Sequence, residues 1–195
     1  MTSVQRWTSF IQQYLQHPQR VGAVAPSSKF LAREMVEWID WPSVRSVVEY
    51  GPGTGSFTGH ILESARPDCR YLGIEFNPVL AQVFRARFPN LTVVEDSVSN
   101  VRRICRQQGF DGVDCIVSGL PWAALPLPTQ LEYLEATRSV LGKGGQFVTF
   151  AYLQGLILPA AQRFRKLLKQ YFSEVSTSRT VWLNVPPAFI YRCRS

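Results

Sequence analysis

From residue 47 onward, short apolar runs alternate with longer stretches in which apolar residues recur every three or four positions. The short runs are rich in Val, Ile and Leu, which is typical of strands buried on both faces. The longer stretches are typical of amphipathic helices. The predicted strands are 47–50, 71–75, 91–95, 113–117, 146–152, 174–182 and 188–193, and the predicted helices are 58–64, 78–87, 100–107, 128–141 and 159–172.

This alternation predicts an α/β fold, a mainly parallel seven-stranded doubly wound sheet. Only a short turn at residues 184–187 joins the last two strands, so the last strand is expected to run antiparallel. No internal repeat or change of composition marks a second domain. Residues 1–195 are therefore predicted to form a single domain.

The first 46 residues are predicted to form a helical region that covers the site at the edge of the sheet. One helix is predicted over residues 3–16, with a strongly aromatic apolar face, and a second from Ser27 or Ser28 to about Trp38. The first helix either docks on the core or lies in a membrane interface, because aromatic side chains suit both environments.

Composition narrows the class of protein. The chain has 195 residues, of which 46% are hydrophobic and 18% charged, enough for a full core. It contains no apolar run of 18 residues and its start lacks a secretory signal, so a cytoplasmic protein is expected. The four cysteines are scattered and there are only two histidines, so we predict reduced thiols and no metal site.

The charge is unevenly distributed. The net charge is +7, and residues 101–195 carry twelve basic and five acidic side chains, whereas residues 47–100 carry four basic and six acidic ones. A basic surplus of this size suits nucleic acid or an anionic membrane surface, and it also serves plain solubility.

The candidate chemistry begins at the end of the first strand. Gly51, Gly53 and Gly55 allow a sharp turn and let a ligand approach the backbone, and the helix that follows offers free N–H groups. Glu75 ends the second strand, 20 residues after Gly55, where a carboxylate can accept hydrogen bonds from ribose hydroxyls. Asp96 ends the third strand and is expected to meet an adenine amino group.

Two nucleoside ligands fit this turn. A dinucleotide site favours the pattern Gly-x-Gly-x-x-Gly. Counted from Gly51, the last glycine of this pattern would fall at Ser56, so the sequence departs from it. S-adenosylmethionine has no phosphate, so the turn would instead hold its amino-acid part, with Glu49 at the ammonium group. The fourth strand ends in Ser118-Gly119-Leu120-Pro121-Trp122, which completes a series of polar strand ends.

With these residues the chain resembles the class I S-adenosylmethionine-dependent methyltransferases over nearly its whole length, which implies their Rossmann-like fold. More narrowly it is similar to the bacterial phospholipid N-methyltransferases, which methylate phosphatidylethanolamine toward phosphatidylcholine. The motifs that carry the resemblance are Val21 to Ser28, Val48 to Gly55, Gly73 to Asn77, Ser118 to Pro121 and Asn184 to Ala188.

The resemblance implies S-adenosyl-L-methionine as cofactor and a set of residues that bind it. The implied set is Ser28, Glu49, Gly51, Gly53, Thr54, Gly55, Glu75, Phe76, Asp96, Ser97 and Ser118. Methyl transfer needs a deprotonated amine, and no hydrolase-like triad is evident. We therefore predict that Ser118 and the backbone carbonyls around Gly119 orient the amine, while water, Tyr14 or Tyr152 takes the proton.

The family also implies a phospholipid substrate and peripheral association with the inner face of the membrane. Helix 3–16 is the predicted contact with an anionic surface. A second group of candidates follows Pro159, where basic side chains meet anionic lipid or face solvent: Arg163, Arg165, Lys166 and Lys169.

A second resemblance, to the rRNA adenine dimethyltransferases, makes nucleic acid the alternative substrate. That family shares the glycine turn, the acid that follows it and a polar-Leu-Pro-aromatic tetrad, in which the aromatic residue stacks on a flipped adenine. Trp122 stands at that position here. The family's Gly-Gln-x-Phe-Leu motif is absent, so the sequence favours the lipid substrate.

Overall fold

The computed structural model describes residues 28–195. The helices are α1 (Lys29–Glu37), α2 (Thr58–Ser64), α3 (Pro78–Arg87), α4 (Val101–Gln107), α5 (Leu127–Val140) and α6 (Pro159–Tyr171). The strands are β1 (Ser46–Tyr50), β2 (Arg70–Glu75), β3 (Val93–Glu95), β4 (Val113–Ser118), β5 (Leu141–Tyr152), β6 (Glu174–Thr177) and β7 (Ala188–Arg194). Short 3-10 turns lie at Trp41–Ser43, Val98–Asn100, Trp122–Ala124 and Leu153–Ile157.

The seven strands form one sheet in the order β3-β2-β1-β4-β5-β7-β6. Strands β1 to β5 are parallel, and β7 runs antiparallel to both β5 and β6. The predicted fold class and the antiparallel last strand are therefore confirmed. The edge at which β1 to β5 end, called the carboxyl edge below, brings together the polar residues that close these strands.

Two predicted strand boundaries were wrong by five residues each, and β3 begins at Val93, two residues later than predicted. The strand predicted at 174–182 ends at Thr177, because the hydroxyl of Ser178 takes the place of a backbone carbonyl and accepts from the Ile190 N–H at 3.0 Å. Only Val181 pairs again, with Ala188. Strand β5 begins at Leu141 rather than at 146, with an irregular register opposite β4.

Two apolar clusters cover the two faces of the sheet. One contains residues of α4, α5 and α6, and the other contains residues of α1 and α2. The side chains of Val47 and Val48 enter opposite clusters, and both are buried. This is the burial on both faces that the apolar runs predicted. Within residues 28–195, no helix has the length and apolar character needed to cross a bilayer.

Candidate active site

The glycine turn at the carboxyl edge has the backbone that its sequence predicted. Gly51, Gly53 and Gly55 all have positive φ, at 63°, 58° and 85°. A Cβ atom at Gly55 would lie 2.2 Å from Cε2 of Phe88, so only glycine fits there. At Gly53 a Cβ would meet nothing within 4 Å. The turn is thus packed on one side and open on the other, where a ligand can reach its backbone.

Glu75 fastens the turn to the end of β2. Its carboxylate accepts hydrogen bonds from the N–H of Gly53 at 3.0 Å and from the N–H of Asn77 at 2.9 Å. Burial raises the pKa of Glu75, and the backbone N–H groups of Asn77, Gly53 and Phe76 oppose this rise. A carboxylate oxygen accepts more than one hydrogen bond, so Glu75 keeps acceptor capacity for a ligand beside the turn.

Glu49 is fully buried in β1 and belongs to a small polar cluster. Its Oε2 accepts from the hydroxyl of Tyr71 at 2.7 Å and from that of Thr58 at 2.8 Å. Its Oε1 is buried without a partner in the part of the chain that the structure describes. Burial raises the pKa of Glu49 to about 7, although both hydroxyl donors lower it. An unpaired buried carboxylate oxygen is costly, which favours a cationic ligand group here.

Tyr71 was missed in the sequence, and Gly73 explains how it reaches Glu49. Both residues lie on the same face of β2, and Gly73 pairs with Glu49 across the parallel ladder. A Cβ at Gly73 would lie 3.2 Å from the Tyr71 hydroxyl. The missing side chain therefore makes room for the hydrogen bond. A Tyr two positions before a strand glycine was the available clue.

The predicted cofactor-binding residues Phe76, Asp96 and Ser97 follow the ends of β2 and β3. Phe76 is 43% exposed and follows Glu75 directly. Asp96 accepts from the N–H of Ser97 at 2.7 Å and from Nδ2 of Asn100 at 2.8 Å, and it pairs with Arg103. Burial alone would raise the pKa of Asp96, but these donors and the guanidinium lower it.

Ser97 also belongs to this group, and its hydroxyl donates to the Tyr133 hydroxyl at 3.2 Å. Its Oγ accepts from the N–H of Ser99 and caps the turn that leads into α4. Thr54 is exposed, and its carbonyl accepts from Nη1 of Arg87 at 2.9 Å. The structure thus places these predicted residues around the turn, and their contacts with a cofactor stay predictions.

Ser118 ends β4 and is fully buried. Its Oγ accepts from the indole N–H of Trp122 at 2.9 Å. Trp122 is buried too, with its ring stacked on Phe164 at 5.1 Å between centroids. The indole is therefore part of the core, and it is not the exposed platform that stacking on a flipped base requires. The role predicted for Ser118 in orienting the amine stays a prediction.

Gly119 brings this segment against the glycine turn. Its N–H donates to the carbonyl of Tyr50 at 2.8 Å, and a Cβ there would lie 2.9 Å from the carbonyl oxygen of Gly51. The next residue, Leu120, also packs against the turn, because a Cβ at Gly51 would lie 2.9 Å from its Cδ2. Pro121 and Trp122, which follow directly, line an apolar cavity.

The cavity has a volume of about 240 Å³ and lies at the carboxyl edge beyond β4 and β5. It includes the predicted proton acceptor Tyr152, which is half-buried with its ring 5.5 Å from that of Phe150. The remaining described lining residues are Pro121, Trp122, Ala123, Ala124, Ala151, Gln154, Gly155, Leu158, Ala160, Ala161, Phe164 and Tyr191. None of these described lining residues carries a charge, so the cavity favours neutral groups.

Tyr14 and helix 3–16 lie outside the described residues, so their predicted roles stay predictions. Ser28 is described, and it is the N-cap of α1: its Oγ accepts from the N–H of Leu31 at 3.2 Å, and its own N–H donates to Oδ1 of Asn184 at 3.0 Å. Within residues 28–195, no three His, Cys, Asp or Glu side chains group together as metal ligands.

These residues fit S-adenosylmethionine. The open side of Gly53 admits a ligand to the backbone, and the unpaired Oε1 of Glu49 suits an ammonium group. Glu75 stands at the turn with acceptor capacity for ribose hydroxyls. The three groups lie on neighbouring strand ends, as the amino-acid and ribose parts of one ligand require.

Comparisons with known proteins agree with this fit. No protein-family model matches the chain. The chain is 33% identical over 188 residues to the ornithine lipid N-methyltransferase of Singulisphaera acidiphila, and the match covers 95% of this chain and 94% of that protein.

Two solved structures show the shared fold. An O-methyltransferase from Bacillus cereus in complex with SAH has a TM-score of 0.65 at 12% identity, covering 96% of this chain and 90% of its own. The O-methyltransferase TomG from Streptomyces achromogenes in complex with SAM has a TM-score of 0.64 at 15% identity, covering 94% and 87%. The prediction of S-adenosylmethionine as cofactor is confirmed by these relationships. The chain therefore belongs to the class I S-adenosylmethionine-dependent methyltransferases, in the family that contains the ornithine lipid N-methyltransferase of S. acidiphila.

Proposed function

We propose that this enzyme methylates the primary amine of a membrane lipid. An ornithine-headed lipid is the first candidate, because the similar protein from S. acidiphila is named for that substrate. Phosphatidylethanolamine, which the sequence motifs favoured, is the second. Both headgroups end in a primary alkyl amine on a short flexible chain, so one site chemistry serves both.

The observation that carries the proposal is the position of the apolar cavity. It begins at Pro121 and Trp122, immediately beyond the segment that packs against the glycine turn. A small-molecule amine in water would need polar contacts to stay in such a cavity. An amine attached to acyl chains gains from the apolar lining instead.

The lining also favours the reactive form of the amine. When bound, S-adenosylmethionine supplies an activated methyl group on a positively charged sulfur. An alkylammonium ion has a pKa near 10 in water, about that of lysine. Surroundings without charged side chains lower this pKa, so the neutral amine with its lone pair is favoured. Tyr152 lines the cavity and is the described candidate that passes the proton to water.

Nucleic acid is not favoured as the substrate. Trp122, the aromatic residue that would stack on a base, is buried against Phe164. Base stacking needs an exposed ring on a surface wide enough for a flipped nucleotide.

The test is methyl transfer from labelled S-adenosylmethionine by the full chain. Ornithine lipid and phosphatidylethanolamine are supplied in separate mixed micelles, beside rRNA. We expect label in one or both lipids, with the ornithine lipid preferred, and none in RNA. If RNA were labelled and neither lipid were, the proposal would be wrong and RNA would be the substrate.

A matched pair of variants ties the transfer to the described cofactor site. E75A removes the carboxylate at the turn, and we expect cofactor affinity and transfer to fall by roughly tenfold to a hundredfold. E95A removes an exposed carboxylate at the end of β3, which pairs with Arg85, and should change neither. Calorimetry gives the affinity, and an unchanged value for E75A would contradict the assignment of Glu75.

A further inference from the structure

Five large apolar side chains are exposed on two loops at the carboxyl edge. Leu158 and Ile157 follow β5, and Ile157 is 82% exposed. Trp182, Leu183 and Val185 lie between β6 and β7, with exposed fractions of 69%, 66% and 70%. Together these five side chains are called the apolar tip below. Single exposed apolar residues are ordinary, but five on two loops, one of which also lines the cavity, indicate a binding surface.

The two loops are neighbours. Tyr152 at the end of β5 pairs with Ala188 at the start of β7. The N–H of Leu153 donates to the carbonyl of Pro187 at 2.8 Å. Both loops therefore leave the sheet side by side, at the same edge as the glycine turn and the cavity.

The second loop is held in shape by hydrogen bonds. Asn184 is buried, its Oδ1 accepts from the N–H of Ser28 at 3.0 Å, and its Nδ2 donates to the carbonyl of Pro186 at 2.7 Å. The bridge between Val181 and Ala188 closes the loop behind it. With Asn184 turned inward, the apolar residues on both sides of it are turned toward solvent. Their exposure is thus built into the loop.

The charge around the tip is positive. Glu174 is the only acidic residue of the sequence after residue 140, against eight basic ones: Lys143, Arg163, Arg165, Lys166, Lys169, Arg179, Arg192 and Arg194. Glu174 pairs in register with Arg194, at the opposite edge of the sheet. Arg163, one turn into α6, and Arg179, before Trp182, are exposed. An apolar tip flanked by cations complements an anionic lipid surface.

We propose that the apolar tip inserts into the interfacial layer of an anionic bilayer. This inference rests on the proposed function. Leu158 belongs both to the tip and to the cavity lining, and Gly155 of the same loop also lines the cavity. A lipid headgroup then enters the cavity from the membrane and does not have to leave the bilayer completely. The aromatic ring of Trp182 suits the headgroup layer.

Vesicle binding by the full chain tests the proposal. The W182S/L183S variant should bind phosphatidylglycerol vesicles at least about tenfold more weakly than the wild type in a sedimentation assay. The matched control is L62S/V83S, which removes two partly exposed apolar side chains of α2 and α3, and it should bind as the wild type does. Equal binding by W182S/L183S and the wild type overturns the proposal.

The charge requirement has its own pair of variants. R163Q/R179Q should weaken binding to phosphatidylglycerol vesicles about tenfold at low salt, and less at high salt. R102Q/R106Q on α4 is the control with the same loss of charge. Equal weakening by both pairs would mean that net charge alone acts, which contradicts a role for these positions.

Two forms of one substrate separate this inference from the proposed function. On lipid in phosphatidylglycerol vesicles, W182S/L183S should lose transfer in step with its binding. On a short-chain form of the same lipid, dispersed below its micelle concentration, its rate should equal that of the wild type. An equal loss on both forms, or vesicle binding that the variant keeps in full, overturns the insertion. A third result is possible, in which the wild type binds vesicles, W182S/L183S does not, and neither protein transfers a methyl group to any lipid. That result supports the insertion and rejects the proposed substrate.

Discussion

The two halves of the carboxyl edge are built in different ways. Around β1 to β3 the edge consists of a glycine turn and two buried glutamates, Glu49 and Glu75, with hydrogen bonds to named partners. Beyond β4 and β5 it consists of an apolar cavity and an exposed apolar tip. The first half suits a cofactor of constant shape, because its polar groups have fixed directions. On the proposed function, the second half binds a flexible lipid through apolar contact area, so small changes should matter more in the first half.

Two glycines of the turn offer the largest test of this difference. G55A places a Cβ 2.2 Å from the ring of Phe88 at φ 85°, so we expect the free energy of unfolding to fall by about 4 kcal/mol. G53A has only the strain of its positive φ, about 1 kcal/mol, but its Cβ occupies the open side of the turn. We therefore expect G53A to keep its fold and lose cofactor affinity. Urea unfolding and calorimetry measure the two effects.

The control for G55A removes the ring of Phe88, with which the added Cβ would clash. In an F88A background, G55A should cost only the strain, about 1 kcal/mol, because the ring is gone. The same cost in both backgrounds would show that Phe88 moves aside, and the turn would then be less tightly packed than its geometry indicates.

The cofactor half was largely predictable from the sequence, because its information is local. Gly51, Gly53, Gly55 and Glu75 each follow or close a strand, and parallel strands end at one edge. The tertiary partners of these residues were not predictable. The contact of Tyr71 with Glu49 depends on the register of β1 against β2 and on the space left by Gly73.

The buried Glu49 of this half predicts that the free energy of unfolding changes with pH by about 3 kcal/mol. Burial raises the pKa of Glu49 from 4.5 to about 7, so the folded protein holds this proton more tightly than the unfolded chain. Without cofactor, the free energy of unfolding should therefore fall by about 3 kcal/mol as pH rises from 4.5 to 7, and this contribution should level off above 7. Urea unfolding across this range measures it.

Other groups titrate in the same range, so the difference between the wild type and E49Q isolates Glu49. E49Q should remove most of the slope, because its amide does not ionise. E37Q changes an exposed carboxylate at the end of α1 and should keep the wild-type slope. If E49Q and the wild type had parallel profiles, the carboxylate would not be protonated in the folded protein, and Glu49 would be charged without a ligand.

The half beyond β4 and β5 was hardly predictable from the sequence, for a physical reason. Its cavity is assembled from β4, β5, α6 and β7, and each lining residue alone reads as an ordinary core residue. Trp122 shows the difficulty: the tetrad pattern indicated an exposed aromatic platform, but the ring packs on Phe164, which is 42 positions further along the chain. The part of the apolar tip at residues 182–185 was missed because Trp182 fits the alternation of a strand, and only the structure shows that Ser178 interrupts the ladder.

Ser118 joins the two halves and gives the smallest expected effect. S118A leaves the buried indole N–H of Trp122 without its acceptor, so we expect the free energy of unfolding to fall by about 2 kcal/mol. The hydroxyl lies on the core side of β4, so cofactor affinity and kcat should change by less than about threefold, which is less than about 0.7 kcal/mol.

The W122F background distinguishes the two roles of this hydroxyl. There the indole N–H is absent, so S118A should cost much less stability than in the wild type. A tenfold fall of kcat on S118A in both backgrounds would instead mean that the Ser118 hydroxyl contacts the amine, as the sequence predicted. The strand end would then belong to the half of directed hydrogen bonds, and the boundary between the halves would lie at Gly119, where the backbone already packs against the glycine turn.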